Sequence, residues 1–182
     1  ISSEDPDLID LDIFVEIAEH INYDFDKYKS KKKDKFLYLD FYNPNQLKFP
    51  QESQILSEIS SIVRNLINEP AAYMTPDRLS IEAQICSEKY GFEIEILDEH
   101  KAESLGMKAF LAVGRAAFDR PKVIVMRYLG NPHSKEKTAL IGKGVCYDTG
   151  GLSLKPTSSM LNMKDDMSGA ATVIGIMSAV AQ

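Results

Sequence analysis

The amino-acid sequence predicts an α/β fold, in which a mixed sheet carries helices on both faces. Segments with helical periodicity alternate along the chain with short runs that are rich in β-branched and aromatic residues. An apolar fraction of 44% is enough to build a core, and a charged fraction of 26% is ordinary for a soluble globular protein. In such sheets, sites form just beyond the carboxyl ends of strands.

Charge and cysteine content narrow the class of protein. The net charge of -6 argues against a protein that coats nucleic acid, and the basic residues 27–35 are typical of a solvated linker. Cys86 and Cys146 are too few for a disulfide framework, which favours a reducing, cytoplasmic location. No uncharged apolar run is long enough to span a membrane. We therefore expect neither nucleic acid nor a membrane as a partner.

Residues 1–50 are predicted to be the C-terminal remnant of a smaller α/β domain. A helix is expected over residues 7–21, because the apolar side chains follow the i, i+3, i+4, i+7 spacing of one helix face. These side chains are Leu11, Phe14, Val15 and Ala18. The aromatic-rich residues 36–41 then predict a strand.

Residues 51–68 are predicted to form a connecting helix. Their apolar positions lie on one continuous face: Ile55, Leu56, Ile59, Ile62, Val63, Leu66 and Ile67. Pro70 should end this helix, because proline disfavours the helical conformation in the residue before it.

The third region, residues 69–182, opens with another helix. Thr75 is the expected N-cap, Pro76 the first helical residue and Gly91 the C-terminal stop. The expected buried stripe of this helix consists of Leu79, Ala83, Cys86 and Tyr90.

Three strands and a final helix complete the prediction. The strands are expected over residues 92–97, 122–128 and 138–141, with short helical pieces between residues 98 and 117. Residues 168–182 are apolar nearly all round and therefore predict a buried helix.

The chemistry is concentrated after the third predicted strand, where residues 142–156 read "GKGVCYDTGGLSLKP". Lys143, Asp148 and Lys155 punctuate this segment, and Asp165 and Asp166 precede the last helix. Charged groups beside apolar elements are costly unless they are paired or ligated, and two carboxylates with a lysine could hold a divalent cation. Each group also has an ordinary alternative, namely helix capping for Asp165 and Asp166 and a solvated strand end or loop for the lysines.

Other kinds of site fit less well. The segment lacks the GxxxxGK[ST] and GxGxxG patterns of phosphate-binding loops, and the three histidines lack HExxH spacing. No serine lies in a recognisable nucleophile elbow, and Cys146 is interpreted as a small apolar residue.

Together with "MLNMKDDMSGAA", the segment resembles the signature of the leucyl (cytosol) aminopeptidase family, two-metal zinc- or manganese-dependent exopeptidases. "NEPAAYMTPDRL", "EILDEHKAESLGMKAFLAVG" and "VIVMRYLG" resemble further blocks of that family, in the same order. The resemblance implies an enzyme that releases N-terminal amino acids, preferably leucine or other apolar residues, by means of a metal-activated water. It also makes residues 69–182 the N-terminal part of a metallopeptidase catalytic domain.

Position by position, the resemblance makes Lys143, Asp148 and Asp166 metal ligands, with Asp148 bridging two ions. Lys155 would be catalytic by stabilising an oxyanion, and Met163 would line the pocket for the substrate's first side chain. These five residues would all contact substrate. The implied cofactors are two divalent ions, Zn or Mn, with bicarbonate as a candidate general base. A lysine can ligate a metal only when its amine is neutral, which an adjacent cation favours.

One family feature is missing from these 182 residues: an Asn-Thr-Asp-Ala-Glu-Gly-Arg-type motif that supplies further acids and an arginine. We therefore expect an internal portion of a longer enzyme, inactive alone and holding about half of the metal site. The resemblance implies a homo-hexamer for the full-length protein and peptides with a free N-terminus as substrates. The alternative is a non-catalytic relative that acts as an assembly or DNA-binding scaffold, which the four charged site residues and the acidic composition disfavour.

Overall fold

The computed structural model describes residues 11–32 and 51–182. The chain divides into two compact units, Ile1–Ser61 and Ile62–Gln182. In the first unit, helix α1 covers Leu11–Asn22, in agreement with most of the helix predicted over residues 7–21. The rest of that prediction, and the strand predicted over residues 36–41, lie outside the described residues.

Helix α2 covers Gln51–Asn68, the range predicted from its apolar periodicity. Ile59 and Leu66 are buried, whereas Leu56 is half exposed, so the buried face is narrower than the apolar stripe of the sequence. The helix ends two residues before Pro70, where the restricted backbone opposes another helical turn.

Helix α3 covers Pro76–Tyr90 and has both predicted caps. Thr75 Oγ1 accepts a hydrogen bond from the backbone N–H of Arg78 at 3.3 Å, and Pro76 occupies the start of the helix. At the other end Gly91 has a φ of 82°, the left-handed conformation that glycine adopts most easily. Its N–H donates to Ser87 O at 2.9 Å, which satisfies a carbonyl of the last turn.

Strands β1, Glu93–Leu97, and β2, Val123–Arg127, form an antiparallel pair in which Glu95 lies opposite Val125. Two short helices connect them: α4, Glu99–Ser104, and α5, Lys108–Gly114. These elements confirm the two strands and the helical pieces expected between them. The mixed α/β class is therefore confirmed, with a two-stranded sheet in the described residues.

The third predicted strand, over residues 138–141, is wrong. The described part of the chain offers these residues no ladder partner, and Ile141 is 95% exposed. Composition favoured a buried strand, but a strand exists only where another backbone pairs with it, and in the described part of the chain the sheet consists of β1 and β2. Lys143 consequently does not follow a buried strand.

The last part of the second unit contains helix α6, Thr157–Met160, a 3-10 turn, Met163–Asp165, and helix α7, Ser168–Val180. Helix α7 packs on α3 through a face of small and branched residues that are fully or almost fully buried: Ala171, Ile174 and Ser178. Val180 is 55% exposed, so the predicted all-round burial of this helix is wrong for its opposite face. Among the residues described, no helix combines the length and apolarity that crossing a bilayer needs.

The N-cap of α3 gives a test of this fold. Replacing Thr75 by alanine removes the oxygen that accepts the Arg78 N–H, and we expect a loss of about 1 kcal/mol in the free energy of unfolding. Thr75→Ser keeps the hydroxyl and should lose much less. Denaturant titration of the three proteins measures this difference, and equal stability of the alanine and serine variants would contradict the capping role.

Candidate metal centre

Two glycines bring the motif segment against the start of α7. Ala170 N donates a hydrogen bond to Lys143 O at 2.9 Å. A Cβ atom built on Gly169 would lie 2.8 Å from Lys143 N, and one built on Gly142 would lie 2.7 Å from Ala170 Cα. Real Cβ atoms do not approach so closely, so only glycine permits this backbone contact. The contact sets Lys143 beside the turn that precedes α7.

Lys143 and Asp166 form the first pair of the candidate site. Lys143 Nζ lies 2.6 Å from both carboxylate oxygens of Asp166. The Asp166 side chain is 18% exposed and the Lys143 side chain 58% exposed, so solvent reaches the pair from the lysine side. The hydrogen bond to Asp166 raises the pKa of Lys143 above its usual value, because it stabilises the ammonium form. In this arrangement Lys143 is a cation.

Asp148 and Lys155 form the second pair, at the two ends of a tight loop. The loop closes through a hydrogen bond from Lys155 N to Thr149 O at 2.9 Å, and Gly150 and Gly151 have φ values of 86° and 69°. Lys155 Nζ lies 2.8 Å from Asp148 Oδ2. The glycines therefore give the backbone a path that returns the lysine to the carboxylate.

The surroundings of this second pair stabilise the Asp148 carboxylate. Its hydrogen bond from Lys155 lowers the pKa of Asp148, and a second hydrogen bond, from Gly150 N to Oδ1 at 2.8 Å, acts in the same direction. Lys155 Nζ also lies 2.9 Å from Met163 Sδ, so the ammonium is held between a carboxylate and a thioether.

The two pairs belong to one neighbourhood. The charge of Asp148 contributes to the raised pKa of Lys143, and Lys143 contributes to the lowered pKa of Asp148. Met163 and Asp166 lie at either end of one turn, and each contacts a different lysine. The structure therefore brings together all five residues that the sequence singled out. Their roles stay predictions.

These groups fit part of a divalent-metal site. Carboxylate oxygens are hard ligands, and here the carboxylates of Asp148 and Asp166 already converge on positive charge, supplied by the two ammonium groups. A metal beside Lys143 would oppose its protonation and free the amine to ligate. In the described ranges no cluster of three or more His, Cys, Asp or Glu side chains could hold a metal, so two carboxylates and an amine are the donor set that these residues provide.

Four of the five site residues do not line the cavity that includes Lys143. A cavity of about 770 Å³ is bordered by β2, α5 and residues 140–147, and Lys143 is part of its wall. Asp148, Lys155, Met163 and Asp166 are not. The cavity therefore gives no support to the predicted pocket role of Met163.

Cys146 lies within the motif, and its surroundings disfavour the reactive thiolate form. Burial raises its pKa to about 11, so the side chain remains a thiol at neutral pH. Its Sγ makes only a long contact of 3.8 Å with Gly144 O. This state agrees with the interpretation of Cys146 as a small apolar residue.

One contact that sequence reasoning missed involves Lys164. Its Nζ donates to the backbone oxygen of Asn68 at 2.6 Å, across 96 residues of sequence. No local pattern signals this contact, because its acceptor is a backbone carbonyl in a distant helix.

The second unit thus combines a mixed α/β fold with two lysines and two carboxylates that lie together. The chain belongs to the cytosol aminopeptidase family: the family's model, described as "Cytosol aminopeptidase family, catalytic domain", matches residues 61–182. The resemblance stated from the sequence is thus confirmed. The probable cytosol aminopeptidase of Fusobacterium nucleatum subsp. nucleatum is 52% identical over 181 residues, which are 100% of this chain and 38% of that protein.

Solved structures of other proteins also resemble the structure of this chain. A bottromycin maturation enzyme in complex with Mn superposes with a TM-score of 0.78 at 27% identity, covering 94% of this chain and 36% of its own. The leucine aminopeptidase of Caenorhabditis elegans gives a TM-score of 0.70 at 35% identity, covering 75% of this chain and 28% of its own. The chain thus spans 28–38% of the length of these three relatives.

The glycine contact gives a second test. In Gly169→Ala the new methyl group meets the backbone of Lys143, and overpacking of this kind costs about 1–3 kcal/mol, against about 1 kcal/mol gained in helix propensity. Because the methyl group meets backbone atoms, which cannot turn aside as a flexible side chain can, the cost should lie in the upper part of this range and leave a net loss of about 1–2 kcal/mol in the free energy of unfolding. Thr172→Ala, at an exposed position of the same helix, is the control and should change stability by less than about 0.5 kcal/mol. A Gly169→Ala variant as stable as the parent would refute the steric argument.

Proposed function

We propose that this chain supplies the lysine-rich half of the active site of a metal-dependent aminopeptidase. The enzyme releases N-terminal amino acids, preferably leucine or other apolar residues, from peptides. The observation that carries the proposal is the pairing of Lys143 with Asp166 and of Lys155 with Asp148 in one neighbourhood, in a member of the cytosol aminopeptidase family. Because the chain spans 38% of the Fusobacterium relative, the activity is proposed for the full-length polypeptide that contains it.

Asp148, Asp166 and the neutral amine of Lys143 are the residues that would hold two divalent ions, Zn or Mn. Mn in the related bottromycin maturation enzyme supports a metal of this kind. When bound, the ions would supply an activated water and polarise the peptide carbonyl. Asp166 is the better shielded of the two carboxylates, and its backbone joins the buried Met167 directly, which favours a fixed ligand position.

Lys143 must lose a proton before it can ligate. Its amine is on the solvent side of the pair with Asp166, so water can accept that proton. In the ion pair the pKa of Lys143 is raised, and a neighbouring cation would act in the opposite direction. Lys143 thereby couples the occupancy of the site to the release of a proton.

Lys155 is the proposed electrophilic group. Its side chain is 28% exposed and its ammonium is fixed by Asp148 and Met163, so the donor is oriented before substrate arrives. An oriented, partly dehydrated cation stabilises an oxyanion more strongly than a mobile one in water. The thioether of Met163 would present an apolar surface to the first side chain of the substrate, in keeping with a preference for leucine.

Further parts of the proposal rest on the family resemblance. They are a homo-hexamer for the full-length protein, bicarbonate as general base, a cytoplasmic location and a metallopeptidase catalytic domain that starts near residue 69. Residues 51–68 would connect this domain to the remnant of a smaller one, in residues 1–50.

A chelation experiment tests the proposed reaction. The full-length polypeptide should hydrolyse leucine p-nitroanilide, lose the activity when the metal is chelated, and regain it when Mn or Zn is added back. N-acetyl-leucine p-nitroanilide, which lacks the free amino group, is the control and should not be cleaved. Absence of turnover in the metal-loaded protein would reject the peptidase and favour the scaffold alternative.

A substitution tests the role of Lys155. We expect Lys155→Met to lower kcat about 10²–10³-fold with a smaller change in KM, because the lost interaction forms mainly in the transition state. Lys137→Met removes the same charge from an exposed loop position and should leave kcat unchanged. Steady-state kinetics give kcat and KM for the parent and both variants. A Lys155→Met enzyme with the parent kcat would exclude Lys155 as the electrophile.

A further inference from the structure

We infer that Lys164 is a positioning residue of the proposed metal centre: it ties the turn that carries Met163 and Asp166 to the C-terminal end of α2. The inference rests on the proposed function, because the residues that Lys164 positions are a proposed ligand and a proposed substrate contact. Lys164 itself contacts Asn68 and is neither a proposed metal ligand nor a proposed substrate contact.

The acceptor of the Lys164 hydrogen bond is a helix end. Lys164 Nζ donates to Asn68 O at 2.6 Å, and Asn68 is the last residue of α2. The last four carbonyls of a helix lack partners within the helix and carry a partial negative charge, so they favour a cation. The last turn of α2 contains no basic residue of its own. Lys164 supplies that cation from 96 residues away.

The turn at residues 163–166 needs such support. Its own backbone hydrogen bonds are Asp165 N to Asn162 O at 2.9 Å and Asp166 N to Met163 O at 3.5 Å, the latter at the upper limit for a hydrogen bond. The residue that precedes the 3-10 turn, Asn162, makes no side-chain cap. Ser168 Oγ donates to Asp165 O and closes the turn from the other side.

Successive side chains of the turn divide into two sets. Met163 and Asp166 contact Lys155 and Lys143, whereas Lys164 reaches α2 and Met167 is completely buried. Lys164 and Met167 are therefore the two anchors of the segment, one polar and one apolar. Release of the polar anchor would leave the ligand end of the turn free to shift relative to Lys143 and Lys155.

The two possible roles of Lys164, helix cap and positioning residue, lead to different effects of its substitution on stability and on metal affinity. A cap alone would lower the stability of the protein and leave the metal affinity unchanged. A positioning residue would also weaken metal binding, since loss of a group that orients a ligand typically costs 10–100-fold in affinity. Metal affinity and local exchange of the turn amides therefore separate the two roles.

The test uses the full-length polypeptide with Lys164→Met, Lys164→Arg and the exposed-loop control Lys135→Met. Titration calorimetry with Mn or Zn measures the dissociation constant, and hydrogen exchange with mass spectrometry follows the amides of residues 163–167. We expect Lys164→Met to weaken metal binding about 10–100-fold and to speed exchange in this turn. Lys164→Arg, which can still donate to Asn68 O, should remain within about threefold of the parent on the same scale. Lys135→Met should match the parent in both measurements.

Several results would overturn the inference. One is a Lys164→Met protein with parental metal affinity, even if its melting temperature falls, since that is the behaviour of a cap. Another is equal impairment of the methionine and arginine variants. If Lys164→Met does not fold, Lys164→Ala, which also lacks a donor, takes its place under the same criteria. A parent protein that binds neither ion would instead refute the proposed metal centre, and the positioning role would fall with it.

Discussion

The site depends first on the backbone contact between Gly142–Lys143 and Gly169–Ala170. Lys143 and Asp166 come from segments that are 23 residues apart, and nothing in either segment alone would bring their side chains together. The Ala170–Lys143 hydrogen bond and the missing Cβ atoms fix the distance between the two backbones. The second pair is simpler, because Asp148 and Lys155 share one loop whose glycines return it on itself. Close packing in one place and a tight turn in another thus produce two similar ion pairs.

These pairs are balanced in charge, with two ammonium groups against two carboxylates. The ammonium of Lys155 beside Asp148 favours the ionised form of that carboxylate, which lowers its pKa. In the proposed metal centre, Lys143 would compete with a metal ion for Asp166, because its ammonium group occupies the place of a cation beside that carboxylate. Binding of a metal would then release a proton from Lys143.

Local chemistry explains why so much was predictable. Thr75, Pro76 and Gly91 act within one turn of α3, so their effects can be deduced from residue type and order. The candidate site was found because its residues are concentrated in one motif. The error at residues 138–141 has the opposite origin, since strand pairing depends on a partner that is not adjacent in sequence. Lys164 was missed for the same reason: its acceptor, Asn68 O, is a backbone atom that every residue type possesses.

Residues 138–141 also have a bearing on colloidal behaviour. They have no ladder partner in the described part of the chain and Ile141 faces water, and an unpaired backbone beside an exposed apolar side chain can pair with another polypeptide, as the edge of a sheet does. The preceding residues are Lys135, Glu136 and Lys137, charges of the kind that keep such edges apart. Salt screens charges of this sort, so high ionic strength weakens that protection and favours self-association of the polypeptide.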